Sequence, residues 1–227
     1  MSAPDYGRAF ALWRAGAADP WQAYTRHAFV EGLKDGTLPR ENFLHYLVQD
    51  YVFLVHFSRA WALAVTKSRT LDEMKAAAAT VNALVNHEMQ LHVTTCAEAG
   101  ISEEDLFTAT ERPENLAYTR YVLDAGHSGD LADLLATLAP CVLGYGEIGA
   151  RLSVERAADT PYGDWIETYG GAEYQDLCRD TGAMIDAALA RRIGPEFDAA
   201  PRWPELQAQF TRATALEVGF WDMGMTP

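Results

Sequence analysis

Three reactive side chains stand where helix periodicity calls for apolar ones. After Pro39, the residues Phe43, Leu47, Asp50, Leu54, Phe57 and Trp61 recur at offsets of 0, 4, 7, 11, 14 and 18, one continuous face of a helix. The same offsets later collect Leu134, Leu138, Cys141, Tyr145, Ile148 and Leu152. Near the C-terminus, Leu206, Phe210, Ala213, Glu217 and Phe220 follow the first five of them. Core-facing stripes exclude carboxylates, because burying one without donors or a proton costs several kcal/mol as an order of magnitude. If the stripes converge, Asp50, Cys141 and Glu217 share one cavity walled by Phe53, Tyr145 and Phe220. Such a pocket is equipped for nucleophilic attack and proton transfer on a small molecule.

Taken singly, each residue has a plainer reading. A buried acid can serve a neighbouring backbone or arginine, and free cysteine is among the most buried residue types. Cys141 is set apart by Pro140, which deletes a backbone donor in a helix interior and is expected to kink the helix beside the thiol. Cys96 and Cys178 have no such setting and read as packing residues. No histidine is an obvious activator of Cys141, so a nearby carboxylate or the substrate must take its proton.

The elements that must position these groups are helices. Apolar residues recur at three- and four-residue steps, while alternating β-branched runs are nearly absent, so the class is all-α. Punctuation predicts helices from Pro20 toward Gly36, from Pro39 to about Ser68, and from a Thr70 cap to just before Gly100. A short one follows Ser102, and others run over Glu114 to Ala125, Asp130 to Arg156, Pro161 to Tyr169, Ala172 to Arg192 and Pro204 to Met223. No linker-like or repeated segment divides residues 1–227, which read as a single domain.

The charge of −14, from 18 Lys+Arg against 32 Asp+Glu, excludes nucleic acid as a natural partner. Three cysteines without paired spacing are the thiol usage of a reducing compartment. The longest uncharged stretch, Leu134 to Gly146, is 13 residues, shorter than a membrane span. The expectation is a cytoplasmic protein with no membrane partner.

Specific motifs sharpen this. Leu47-Val-Gln-Asp50-Tyr51-Val-Phe53 with His56-Phe57, and Pro140-Cys141-Val-Leu-Gly-Tyr145-Gly-Glu147-Ile148-Gly149, resemble two signature helices of the thiaminase II (TenA) family, in its cysteine-containing class. Trp165-Ile-Glu-Thr-Tyr169 and Glu217-Val-Gly-Phe220-Trp221 are similar to two more, and the resemblance spans nearly the whole chain.

The resemblance implies a haem-oxygenase-like multi-helix bundle, without haem or other cofactor, assembled as a homotetramer. It implies an aminopyrimidine aminohydrolase of thiamin salvage. The reaction converts 4-amino-5-aminomethyl-2-methylpyrimidine to the 5-hydroxymethyl pyrimidine and ammonia, with thiamin cleavage as a second activity. Cys141 would be the nucleophile, Glu217 the general acid/base and Asp50 the anchor of the aminopyrimidine edge, with Phe53, Tyr118, Tyr145, Tyr169 and Phe220 around the substrate. On this mechanism Glu217 should have an elevated pKa through burial. Phe53 stands where many members carry tyrosine, which removes a hydroxyl contact.

Two other readings compete. Glu88 and His92, in His87-Glu-Met-Gln-Leu-His92, form an i, i+4 pair that with Glu147 could serve a metal-dependent oxidase. The spacing is not that of the H-E-x-x-H zinc motif, no histidine follows His127, and Glu147 can pair with Arg151, so no metal site is expected. A non-catalytic pyrimidine- or thiamin-binding regulatory protein is the other reading, but binding alone has no use for Cys141.

Overall fold

Caps and breakers in the sequence set most of the helix boundaries. The computed structural model describes residues 4–227, apart from the side chains of His87 and Leu91. Helices α1 (Arg8–Gly16), α2 (Ala18–Thr25) and α3 (Ala28–Asp35) lead into the long α4 (Arg40–Lys67). The stretch from Pro20 to Gly36 is therefore two helices rather than one. The break lies at Arg26 and His27, where the His27 ring caps α3 by accepting the Phe29 amide. Gly36, at φ 73°, then ends α3 in the left-handed region that suits glycine.

Thr70 caps α5 (Leu71–Ala83) by accepting the Glu73 amide, as predicted. The helix expected to continue to Gly100 instead widens into a π-helical turn over Leu84–Glu88 before resuming as α6 (Met89–Glu98). Ser102 and Asp105 form a capping box on α7 (Glu103–Phe107), and Asp130 and Asp133 another on α9 (Leu131–Glu155). Between them runs α8 (Pro113–Ser128). The chain closes with α10 (Gly163–Gly170), α11 (Ala172–Ile193), a 3-10 turn at Phe197–Ala199 and α12 (Trp203–Gly224). Among the described residues there is no strand.

The centre of the bundle is α9, packed against α8, α10, α11 and α12. It is long and apolar enough to cross a membrane, but 89% of its most apolar window is buried inside the protein, the signature of a core helix. It remains helical across Pro140. Close approach of α10 to α9 depends on a glycine pair. A Cβ on Gly149 would stand 2.3 Å from the Tyr169 carbonyl carbon, and one on Gly170 would stand 2.7 Å from the Gly149 oxygen. Those contacts are with backbone, so no rotamer change relieves them. The pairing seats Tyr169 and Trp165 over the middle of α9, and Tyr145 meets their rings at 4.9 and 5.9 Å between centroids.

Candidate active site

A narrow cavity of about 40 Å³ lies between α4, α5, the π turn, α9 and α11. Asp50, Phe53, Leu54 and Phe57 face it from α4, Cys141, Val142 and Tyr145 from α9, and Glu88 from the π turn. Cys141 and Glu88 are surrounded by protein yet keep partial accessibility, because each opens onto this internal space. Among the described residues no lysine or arginine lines the cavity.

Burial pushes the Cys141 thiol well above its ordinary pKa, and the neighbouring charges of Glu217, Glu88 and Asp50 push the same way. At rest the group is therefore a neutral thiol. Attack requires a coupled proton acceptor rather than a standing thiolate.

Asp50 has a partner that the sequence did not reveal. Its Oδ2 lies 2.6 Å from Nε2 of the buried His92, and Tyr46 donates to the same oxygen at 3.3 Å. The other His92 nitrogen, Nδ1, is 2.9 Å from the Glu88 carbonyl oxygen, which can only accept. His92 must therefore donate from Nδ1, and a short contact at Nε2 needs a second proton in the pair. Although burial opposes it, the Asp50 hydrogen bond and charge, aided by Glu88, raise the His92 pKa. The pair is an imidazolium facing a carboxylate.

Glu217, 1% exposed, is not among the residues lining the cavity, and neither is Phe220. The Glu217 Oε1 accepts from the Tyr118 hydroxyl at 2.8 Å. Burial raises its pKa to about 8, against the opposing Tyr118 hydrogen bond and with help from Asp50. The elevated acid expected from the sequence is thus present. Phe53, which lines the cavity, packs onto this layer, with its ring 5.2 Å from Tyr118 and 5.4 Å from Phe220 between centroids.

Tyr145 lines the cavity, with its hydroxyl 3.4 Å from that of Tyr46, which also receives the Trp165 indole N–H at 3.3 Å. Tyr169 does not line it. Its hydroxyl reaches in to donate to Glu88 Oε1 at 2.9 Å, while its ring borders an outer groove. Tyr46, Glu88, His92 and Trp165 are the site groups that sequence reasoning did not place. For Glu88 and His92 the i, i+4 spacing was visible, but their partners were not.

The metal reading loses its geometry. Both His92 nitrogens are engaged within the protein, and the side chain of His87 lies outside the described residues. Glu147 points away toward Trp21 and Arg14, at 3.2 and 3.0 Å, rather than pairing with Arg151, which binds Glu31 and Glu155.

The arrangement defines an all-helical protein with an enclosed thiol flanked by a protonated acid and an ion-paired one, suited to covalent work on a small polar ring. Comparisons with known proteins agree. Residues 15–226 match the TENA/THI-4/PQQC family model, and the chain belongs to that family. It is 35% identical over 205 residues to the aminopyrimidine aminohydrolase of Halalkalibacterium halodurans, covering 89% of each chain. A crystal structure of a Silicibacter protein, described as a TenA family transcription regulator, is 66% identical with a TM-score of 0.96 over 98% of both chains. A Shewanella denitrificans domain of unknown function with a heme oxygenase-like fold is 13% identical, at a TM-score of 0.70 over 97% of this chain and 92% of that one. The fold is therefore haem-oxygenase-like.

Proposed function

We propose that the protein is an aminopyrimidine aminohydrolase of the thiaminase II type. It replaces the exocyclic amine of 4-amino-5-aminomethyl-2-methylpyrimidine with hydroxyl, and thiamin cleavage is a secondary activity. The observation that carries this reading is the Cys141 thiol, open to an enclosed cavity between Glu217 and the Asp50–His92 ion pair. Kinship to an aminohydrolase along 89% of the chain supports it.

The residue types account for each step. The ion-paired Asp50 accepts the aminopyrimidine edge. The Cys141 sulfur bonds to an electron-poor ring carbon as Glu217 gives its proton to a ring nitrogen and collects the thiol proton, so that S–H adds across a ring C=N bond. With aromaticity broken, the exocyclic C–N bond cleaves and its electron pair departs on ammonia. Water adds to the exposed methylene and loses a proton. Reversal of the sulfur addition then frees the hydroxymethyl product and the thiol.

The Silicibacter relative is described as a transcription regulator, which favours a second reading as a regulatory pyrimidine-binding protein. The net charge of −14 weighs against direct DNA contact. Ammonia release from the aminomethylpyrimidine and from thiamin separates the two. Turnover of the aminomethylpyrimidine is expected, and tight binding of either compound without any ammonia would favour the regulator. We further place the enzyme in the cytoplasm, where the thiol stays reduced, as a homotetramer that sedimentation can test.

A further inference from the structure

Glu88 is a cavity acid with no task in the chemistry described so far. Its backbone belongs to the π turn, a widening of the helix frequent at functional sites, which interrupts an otherwise regular α5–α6 run. Its Oε1 accepts the Tyr169 hydroxyl, and among the described residues no side chain bonds its Oε2. The carboxyl faces the same space as Cys141 and Asp50.

The charges around the cavity do not balance. Asp50 is offset by the His92 imidazolium, and Glu217 holds its proton. Among the described residues Glu88 has no cation of its own, only a share of His92, whose Nε2 is spent on Asp50. Burial accordingly raises its pKa, with Asp50 adding to the effect and His92 and Tyr169 opposing it. An enclosed acid in that condition is completed by a ligand that brings one positive charge and N–H donors.

On the aminopyrimidine reading, which this inference deepens and on which it rests, the substrate has such a group. The ring nitrogen opposite the 4-amino group belongs on the Glu217 side if Asp50 holds the amino edge. The 5-aminomethyl group is the neighbour of that amino group, and Glu88 lines the same cavity as Asp50.

We propose that Glu88, held by Tyr169, is the subsite for the substrate's primary ammonium group and makes the enzyme select the cationic aminomethyl pyrimidine over its uncharged hydroxymethyl product. Substrate thereby enters with its amine oriented and protonated, and the product, having lost the charge, is released from the same contact.

The test uses full-length Cys141→Ser protein, which should bind without turnover, titrated with 4-amino-5-aminomethyl-2-methylpyrimidine and with the 5-hydroxymethyl compound. Adding Glu88→Gln keeps the acceptor for Tyr169 and removes the charge. The aminomethyl ligand should then weaken roughly 10- to 100-fold, the loss expected for a charged hydrogen bond, and the hydroxymethyl ligand less than about 3-fold. Equal losses for the two ligands would mean that Glu88 merely braces the site, and no loss for the aminomethyl ligand would remove it from the site. Both results overturn the proposal. A second readout needs no change at Glu88. Calorimetry of the Cys141→Ser parent across a pH series, in buffers of different ionisation enthalpy, should register proton release with the aminomethyl ligand that the hydroxymethyl one does not show. Identical proton traffic would overturn the assignment. If the parent binds neither compound, the aminopyrimidine reading itself fails, a result distinct from loss of discrimination between them.

Discussion

His92 and Asp50, 42 residues apart and on different helices, meet through Nε2 and Oδ2 at 2.6 Å with almost no solvent access to either side chain. Because the second His92 nitrogen donates to the Glu88 carbonyl, one contact ties the floor of the cavity to the π turn. The carboxylate offered to a ligand is thus already oriented and charge-compensated before anything binds.

His92→Gln should therefore damage both folding and binding. It leaves Asp50 buried without a cation, a loss of about 3 kcal/mol as an order of magnitude, and should raise KM about tenfold. The sign of the pH dependence follows from the raised His92 pKa. The stabilisation is complete below the unfolded histidine value and disappears as pH rises through the higher folded value. Denaturant unfolding at several pH values should show the wild-type advantage over the variant shrinking toward alkaline pH. A gap that widens there would contradict the ion pair.

Cys141→Ser should abolish ammonia release while retaining pyrimidine binding, since the hydroxyl fills the place of the thiol but is a far weaker nucleophile. A drop in kcat of at least about 1000-fold with little change in ligand affinity is the expected result. Turnover at the wild-type rate would rule out a covalent adduct, which mass spectrometry of the trapped wild-type enzyme should otherwise detect.

Gly149→Ala tests how the fold serves the site. The new methyl group meets the Tyr169 and Gly170 backbone, so α10 must move away from α9. That shift carries the Tyr169 hydroxyl off Glu88 and the Trp165 indole off Tyr46. Overpacking of this kind costs roughly 1–3 kcal/mol. The expected outcome is a lower Tm together with a higher KM for the aminomethylpyrimidine, even though position 149 does not line the cavity.

The sequence exposed Asp50, Cys141 and Glu217 because helical periodicity makes a polar residue on an apolar face conspicuous. It placed α4, α9 and α12 to within about a residue or two because Pro39, Asp130 and Pro204 are strong start signals. Depth was not legible. Periodicity says which face a residue occupies, not how deep along that face a cavity reaches, so Glu217 was expected in the wall and is not among the residues that line it. The His92–Asp50 and Tyr169–Glu88 contacts join elements far apart in sequence and leave no mark in local spacing. The π turn hides for a different reason, since one extra residue in a long helix shifts the pattern by only a fraction of a turn. α1 was missed because nine residues give too short a period to stand out.

Glu217 carries the clearest pH signature. With its folded pKa near 8, it is protonated at neutral pH and able to donate to the ring. Activity should therefore fall as pH rises past about 8, and Glu217→Gln, which keeps an acceptor for Tyr118, should lower kcat about 100-fold or more and remove that limb. Stability should move the other way. A carboxyl whose folded pKa lies above its ordinary value contributes fully below that ordinary value and loses its contribution as pH rises through the folded one. The wild type should accordingly weaken between about pH 4.5 and 8, while the glutamine variant does not, leaving the variant ahead by roughly 2–4 kcal/mol at pH 9 and level with the wild type in acid. Chemical unfolding of both proteins at pH 5, 7 and 9 measures this directly. Parallel curves across that range would mean that Glu217 is ionised in the folded protein and does not serve as the acid.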